Sequence, residues 1–246
     1  MIKVIICGIG GRIGHAILNV LSTRKDIECV AGIDVMTPDN VSVPVFKNFK
    51  DCNVAADIVI DFSRPDALTD ILSYAESKKC AVVLATTGHT PEQKKAIQAA
   101  SKKIPVFMSS NMSLGISLLN ELAKKAAQFL GDGCDISIIE QHHKMKVDAP
   151  SGTALSLAGT INNVLPDKKI DIHAVRGGNI VGKHDVLYIG SEEIITLSHD
   201  AQSRNVFAVG AVRAAEFIAD KPAGLYSMSD LIGQAWMCKN CEYKPK

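Results

Sequence analysis

The first fifteen or so residues restrict the fold more than any other stretch. Lys3-Val-Ile-Ile-Cys-Gly8 is an apolar run too short for a typical helix, and it ends in glycine. From Gly11 to Arg24, Ile13, Ile17, Leu18 and Leu21 recur at helical spacing. A strand that is apolar on both faces belongs in a sheet covered on both sides, which is the rule for parallel sheets. The same unit then repeats. The stretches 28–34, 57–63, 81–88 and 104–108 read as further strands. Pro65 opens a helix at its first turn, where proline is tolerated, and Thr90-Pro-Glu-Gln93 has the spacing of a capping box. Strands alternating with helices predict an α/β domain with helices on both faces of a parallel sheet.

The rhythm changes after about residue 114. Leu114 to Leu130 is a long amphipathic helix, and 135–143, 172–176, 184–190 and 192–199 read as strands with little helix between the last three. That pattern predicts a separate α+β unit with an open mixed sheet. Arg204 to Asp220 returns to helix, and Pro222 to Gly233 reads as a turn with a short closing helix. A chain of 246 residues accommodates two such domains, here placed at 1–113 and 114–220.

Gly8, Gly11 and Gly14 fall between the first strand and the first helix. A glycine turn at a helix start lets a pyrophosphate approach the backbone amides and the positive end of the helix. Asp34 closes the second strand about twenty residues on, where an acid can accept hydrogen bonds from ribose hydroxyls. The first domain is therefore expected to be a Rossmann-like dinucleotide-binding domain.

A second group of chemically active residues lies at the end of the apolar run Ile136 to Ile139. It reads Glu140-Gln-His-His-Lys-Met-Lys-Val-Asp-Ala-Pro-Ser-Gly-Thr153. An apolar strand that stops at histidines and lysines delivers chemistry to its exit loop. Ser151-Gly-Thr153 precedes a helical pattern, so free amides and cationic side chains converge in a way that suits a small dianion.

The bulk properties narrow the class. The formal net charge is +1, which gives no reason to expect nucleic acid or an anionic membrane as partner. No signal peptide and no apolar stretch of membrane-spanning length is expected. Five cysteines (Cys7, Cys29, Cys52, Cys80 and Cys134) stand singly in or near apolar segments, as buried reduced thiols of a cytoplasmic protein do. Cys238-Lys-Asn-Cys241 is a lone C-x-x-C without a second ligand pair, so it reads as a solvated tail and no metal is expected.

The block from Glu140 to Thr153 resembles the signature of the dihydrodipicolinate (4-hydroxy-tetrahydrodipicolinate) reductase family, Glu-x-His-His-x-x-Lys-x-Asp-Ala-Pro-Ser-Gly-Thr, at every fixed position. The glycine loop with Arg12, Ala85-Thr-Thr-Gly88, Ser110-Asn-Met-Ser113, Arg176-Gly-Gly178 and Leu197 to Arg204 also resemble family segments, Ala85 replacing a usual glycine. The likeness runs from about residue 3 to 233. It implies an NADH- or NADPH-dependent reductase of a small cyclic dicarboxylate in diaminopimelate and lysine biosynthesis. It further implies a homotetramer joined through the second domain's sheet, with 221–246 packing back on the first domain. By the same resemblance Gly8, Ile9, Gly10, Gly11, Arg12, Ile13 and Asp34 hold the adenine half of the cofactor. Ala85, Thr86, Thr87, Ser110, Asn111, Met112 and Ser113 face its nicotinamide. His143, Ser151, Gly152 and Thr153 bind substrate, while His142 and Lys146 carry the acid–base roles. NADH is expected to be preferred, because Val35, Met36 and Thr37 place no cation beside Asp34. Two other readings stay open: a different two-domain dehydrogenase, for example of aspartate, and an NAD(H)-sensing protein without turnover. The first gives no reason for the full His-His to Ser-Gly-Thr block, and the second would need a DNA-binding or partner domain, for which the sequence offers no basic recognition helix.

Overall fold

The computed structural model describes residues 1–36, 38 and 41–236. The Cys238–Cys241 tail and Thr37 lie outside the described residues. In chain order the elements are β1 (Ile2–Cys7), α1 (Arg12–Leu21), β2 (Ile27–Ile33), β3 (Val45–Phe46), β4 (Ile58–Asp61), α2 (Leu68–Lys78), β5 (Ala81–Leu84), α3 (Pro91–Ala100) and β6 (Pro105–Met108). They continue with α4 (Leu114–Leu130), β7 (Asp135–His142), α5 (Gly152–Asn162), β8 (Ile170–Arg176), β9 (Lys183–Ile189) and β10 (Ile194–Asp200). The chain closes with α6 (Asn205–Ile218), β11 (Gly224–Tyr226) and α7 (Met228–Trp236). The chain divides into two compact units, Met1–Met112 with the chain from Asn205 onward, and Ser113–Arg204.

The first unit is built on a seven-stranded sheet of order β11-β6-β5-β4-β1-β2-β3, with every pair parallel. Val4 to Cys7, Ile58 to Asp61 and Ala81 to Leu84 are buried throughout, as the uninterrupted apolar runs predict for a sheet covered on both faces. The capping box at α3 is present: Thr90 Oγ1 accepts from Gln93 N, and Gln93 Oε1 accepts from Thr90 N. The strand expected over 81–88 stops at Leu84. Residues 85–88 form its exit loop instead, with Ala85 N donating to Asp61 O.

The boundary of the units departs from the sequence expectation at α6. Residues 204–220 were expected in the second domain, whereas α6 packs on α1, β5 and β6 of the first unit. The reason is its face of small side chains. Ala208, Gly210, Ala211, Ala214 and Ala215 are buried, and a Cβ at Gly210 would collide with the Met112 carbonyl. Short apolar periodicity shows that a helix is amphipathic, not which sheet it covers.

The second unit holds a four-stranded sheet of order β10-β9-β7-β8, with β7 and β8 parallel and β9 antiparallel to both of its neighbours. The sheet is therefore mixed, as expected. β7 alternates strictly between buried and less buried positions, so Ile136, Ile138, Glu140 and His142 share the inner face. Ile136 and Ile138 join Leu157, Ile161, Val186 and Tyr188 in a core against α4 and α5. No helix among the described residues is long and apolar enough to cross a membrane.

Candidate functional site

In the first unit the glycine turn is shaped by close backbone approaches. Gly8 has φ +83°, and a Cβ there would stand 2.7 Å from the Phe62 carbonyl oxygen. A Cβ at Gly14 would meet the carbonyls of Gly8 and Ile9. Only glycine takes up these conformations without displacing its neighbours. α1 starts at Arg12 with Gly11 as N-cap and no side-chain cap, so its first-turn amides have no capping side chain in front of them. Asp34 Oδ2 accepts from Gly10 N at 2.9 Å and Oδ1 from Met36 N at 3.2 Å. A cavity of about 780 Å³ is lined by Gly8, Gly10, Gly11 and Asp34, among others, and also by Lys47 and Arg64.

An uncapped helix start, a turn too tight for a Cβ and a carboxylate beside the cavity fit the pyrophosphate and ribose of a dinucleotide. Gly8, Gly10, Gly11, Arg12, Ile13 and Asp34 would hold it. Ile9 is fully buried under Gly32, so its backbone alone can contribute. Along the same carboxyl edge of the sheet, the exits of β5 and β6 are joined by Ser109 N donating to Leu84 O at 3.1 Å. Thr86 is 8% exposed, and its buried Oγ1 has no partner among the described residues, which marks a polar group awaiting one. Thr87 and Ser110 are exposed, Asn111 is half-buried and Met112 is buried. Ser113 Oγ accepts from Ile116 N and caps α4, a structural duty that sequence alone did not suggest.

In the second unit the signature block forms one connected network. Glu140 is completely buried. Its Oε2 lies 2.6 Å from His142 Nδ1 and accepts from Arg176 Nη1 at 2.8 Å. Its Oε1 accepts from Arg176 Nη2 at 2.7 Å and from Ser151 N at 3.0 Å. Ser151 Oγ caps α5 by accepting from Ala154 N and lies 3.0 Å from His184 Nε2. The rings of His142 and His184 meet edge to face at 5.2 Å. Lys146 Nζ donates to both carboxylate oxygens of Asp148 at 2.8 Å. Arg176 Nη2 also donates to the Asp148 carbonyl, tying the exit loop of β7 to the end of β8.

The site residues expected from sequence thus separate by burial. His142 and Ser151 are buried and hydrogen-bonded, so the Ser151 hydroxyl is engaged within the fold. His143, Lys146 and Thr153 are half-buried, and Gly152 is exposed at the α5 start. Sequence reasoning missed Glu140 as the hub. Its position two residues before His142 on a strand was the available signal, since residues i and i+2 share a face.

The electrostatics follow from burial and these partners. Burial alone would raise the Glu140 carboxyl, but hydrogen bonds from Arg176, His142 and Ser151 N hold it below the usual carboxylate range. Burial lowers His142, and the contact with Glu140 opposes that shift. Burial, followed by the charge on His142, pushes His184 down from 6.5 to about 4. A histidine whose folded pKa lies below its unfolded value binds fewer protons when folded. Its contribution to stability is therefore complete above the unfolded value and is lost as the pH falls towards the folded one. Between pH 7 and pH 5 His184 is expected to remove about 2 kcal/mol of stability. His184→Gln should flatten the thermal stability profile over that window, and parallel profiles for the two proteins would refute the assignment.

Family models described as dihydrodipicolinate reductase, N-terminus, and dihydrodipicolinate reductase, C-terminus, match residues 2–112 and 115–232. The chain belongs to the dihydrodipicolinate reductase family. A 4-hydroxy-tetrahydrodipicolinate reductase of Caldanaerobacter subterraneus is 46% identical over 249 residues, covering 94% of this chain and 98% of the relative. The enzyme of that name from Clostridium novyi is 45% identical over 248 residues, with the same coverages. Among solved structures, the dipicolinate-bound dihydrodipicolinate reductase of Paenisporosarcina sp. TG-14 is similar with a TM-score of 0.82 and 26% identity. That match covers 92% of this chain and 97% of the other.

Proposed function

We propose that the chain reduces 4-hydroxy-tetrahydrodipicolinate to tetrahydrodipicolinate with NAD(P)H, in diaminopimelate and lysine biosynthesis. The observation that carries this reading is the joint presence, in one unit, of carboxylate-bound His142, Lys146 and the start of α5 on a chain of this family. In the reaction one hydride and one proton enter the substrate and one water leaves. The dihydronicotinamide supplies the hydride when bound. Ala85, Thr86, Thr87, Ser110 and Asn111 orient it, and the glycine loop with Asp34 holds the adenine half. His143, Lys146 and the Gly152 and Thr153 amides take the two carboxylates. Dipicolinate, the ligand of the Paenisporosarcina relative, is a cyclic dicarboxylate of the class that this arrangement suits. His142 and Lys146 move the proton. A histidine exchanges protons near neutrality and a lysine donates as an ammonium.

The assembly we assign is a homotetramer through the second unit's sheet, whose outer strands expose Val175, Ile194 and Ile195. The compartment is the cytoplasm. Burial pushes the Cys7 thiol up to about 12 and those of Cys29 and Cys80 up to about 11, which suits thiols that stay reduced.

Aspartate semialdehyde and pyruvate, joined by the preceding synthase, generate the substrate in place. Loss of NADH absorbance on adding this protein tests the activity, and no loss refutes it. The same assay measures cofactor choice. The Asp34 carboxylate facing a 2′-phosphate at about 4 Å costs on the order of 1–4 kcal/mol, so both cofactors are used and NADPH is disfavoured by roughly tenfold or more. Lys47 softens this, because β3 brings it to the cavity that Asp34 lines and it is a cation the residues next to Asp34 do not provide. Lys47→Ala should lower kcat/KM for NADPH and leave that for NADH nearly unchanged. A clear NADPH preference in the unaltered protein at low salt would overturn the assignment.

A further inference from the structure

Glu140 is fully buried on the inner face of β7, and its two oxygens meet four donor contacts from three residues. A buried carboxylate is tolerated as an anion only with such pairing, and an ionised carboxylate can only accept. The hydrogen in the 2.6 Å contact with His142 must then sit on Nδ1. Neutral His142 consequently carries its lone pair on Nε2, because the partner of one ring nitrogen decides the state of the other. Nε2 has room because residue 182 is glycine: a Cβ there would stand 3.1 Å from it.

We propose that Glu140 is the positioning residue of His142. It pins the ring through Nδ1–H and leaves Nε2 as the single nitrogen that exchanges a proton with substrate. The inference rests on the reading of His142 as an acid–base group.

Arg176 and Ser151 have a definite part in this. The Arg176 guanidinium on β8 grips both Glu140 oxygens, and Ser151 N fixes Oε1 from the start of α5. β8 and the start of α5 therefore hold the carboxylate of β7 in place, so the His142 ring is anchored to the framework of the unit. The charged and titratable groups facing His142 are Glu140 on β7, Arg176 on β8, His184 on β9 and Lys146 in the loop. Burial and the two cations disfavour imidazolium, and Glu140 favours it.

Glu140→Gln removes the charge with little change of shape. Three measurements test the proposal. Nitrogen-15 NMR of the unaltered, full chain above the His142 pKa should show a protonated Nδ1 and a bare Nε2. In Glu140→Gln the kcat limb that reports His142 should move to lower pH, whether His142 acts as acid or as base. The kcat of that variant should fall on the order of ten- to a hundredfold, in the range of lost orienting partners. A protonated Nε2 in the unaltered protein overturns the proposal, and this result does not depend on any variant folding. A Glu140→Gln protein with the original kcat and pH limb overturns it as well. In both cases an inactive His142→Gln would show that the acid–base reading stands and only the positioning role fails. Full activity of His142→Gln would instead sink the acid–base reading, and the proposal with it.

Discussion

Lys146→Ala is expected to lower kcat by two to four orders of magnitude while leaving NADH binding nearly unchanged. Proton transfer from a placed side chain is typically worth about a hundred- to ten-thousandfold. Loss of a charge-assisted contact to a substrate carboxylate adds to that. The structure gives this lysine a defined station: its backbone N donates to His143 O at 3.1 Å, and its Nζ donates to both oxygens of Asp148. The Asp148 carboxylate already engages Nζ as a substrate carboxylate would, and because that carboxylate is exposed to solvent the pair contributes little to stability. The variant should therefore fold and melt like the original. The glycine loop belongs to the other unit, so a direct titration with NADH should be unaffected. A variant within threefold of the original in kcat/KM would end the assignment of Lys146.

Gly210→Ala is expected to cost more stability than a methyl group added at any other described glycine. Its Cβ would be driven into the carbonyl group of Met112, so backbone collides with backbone and no side chain can swing aside. Overpacking of this kind costs about 1–3 kcal/mol or more, equivalent to several degrees in Tm for a domain of this size. The collision also displaces the turn containing Ser110 and Asn111, which is assigned to the nicotinamide. The KM for NADH should rise together with the loss in Tm. An alanine variant with the original Tm and the original KM would show that α6 yields at no cost, and would remove this link between α6 and the cofactor turn.

The elements legible in the sequence were those whose cause is local. Uninterrupted apolar runs marked the central strands, because a strand covered on both faces has no polar side. Thr90 and Gln93 marked the start of α3, because a capping box is completed within four residues. The glycine turn was legible because a turn that admits no Cβ restricts the residue type at particular positions, and the Glu140 to Thr153 block stood out as titratable groups ending an apolar run; their roles are those proposed above. Two short strands were not legible. β3 spans two residues and β11 three, too few for any period, and each exists only because a neighbouring edge, β2 or β6, offers hydrogen bonds.

By itself, then, the sequence determined the α/β character of the chain, its family and the identity of the titratable groups at the end of β7. Tertiary structure alone decided which sheet α6 covers, that Lys47 reaches the cavity of Asp34, and that Arg176 and Ser151 N converge on Glu140. These are meetings of residues far apart in the chain. They depend on sheet order and on the space left by glycine at 182 and 210, quantities that no local pattern encodes.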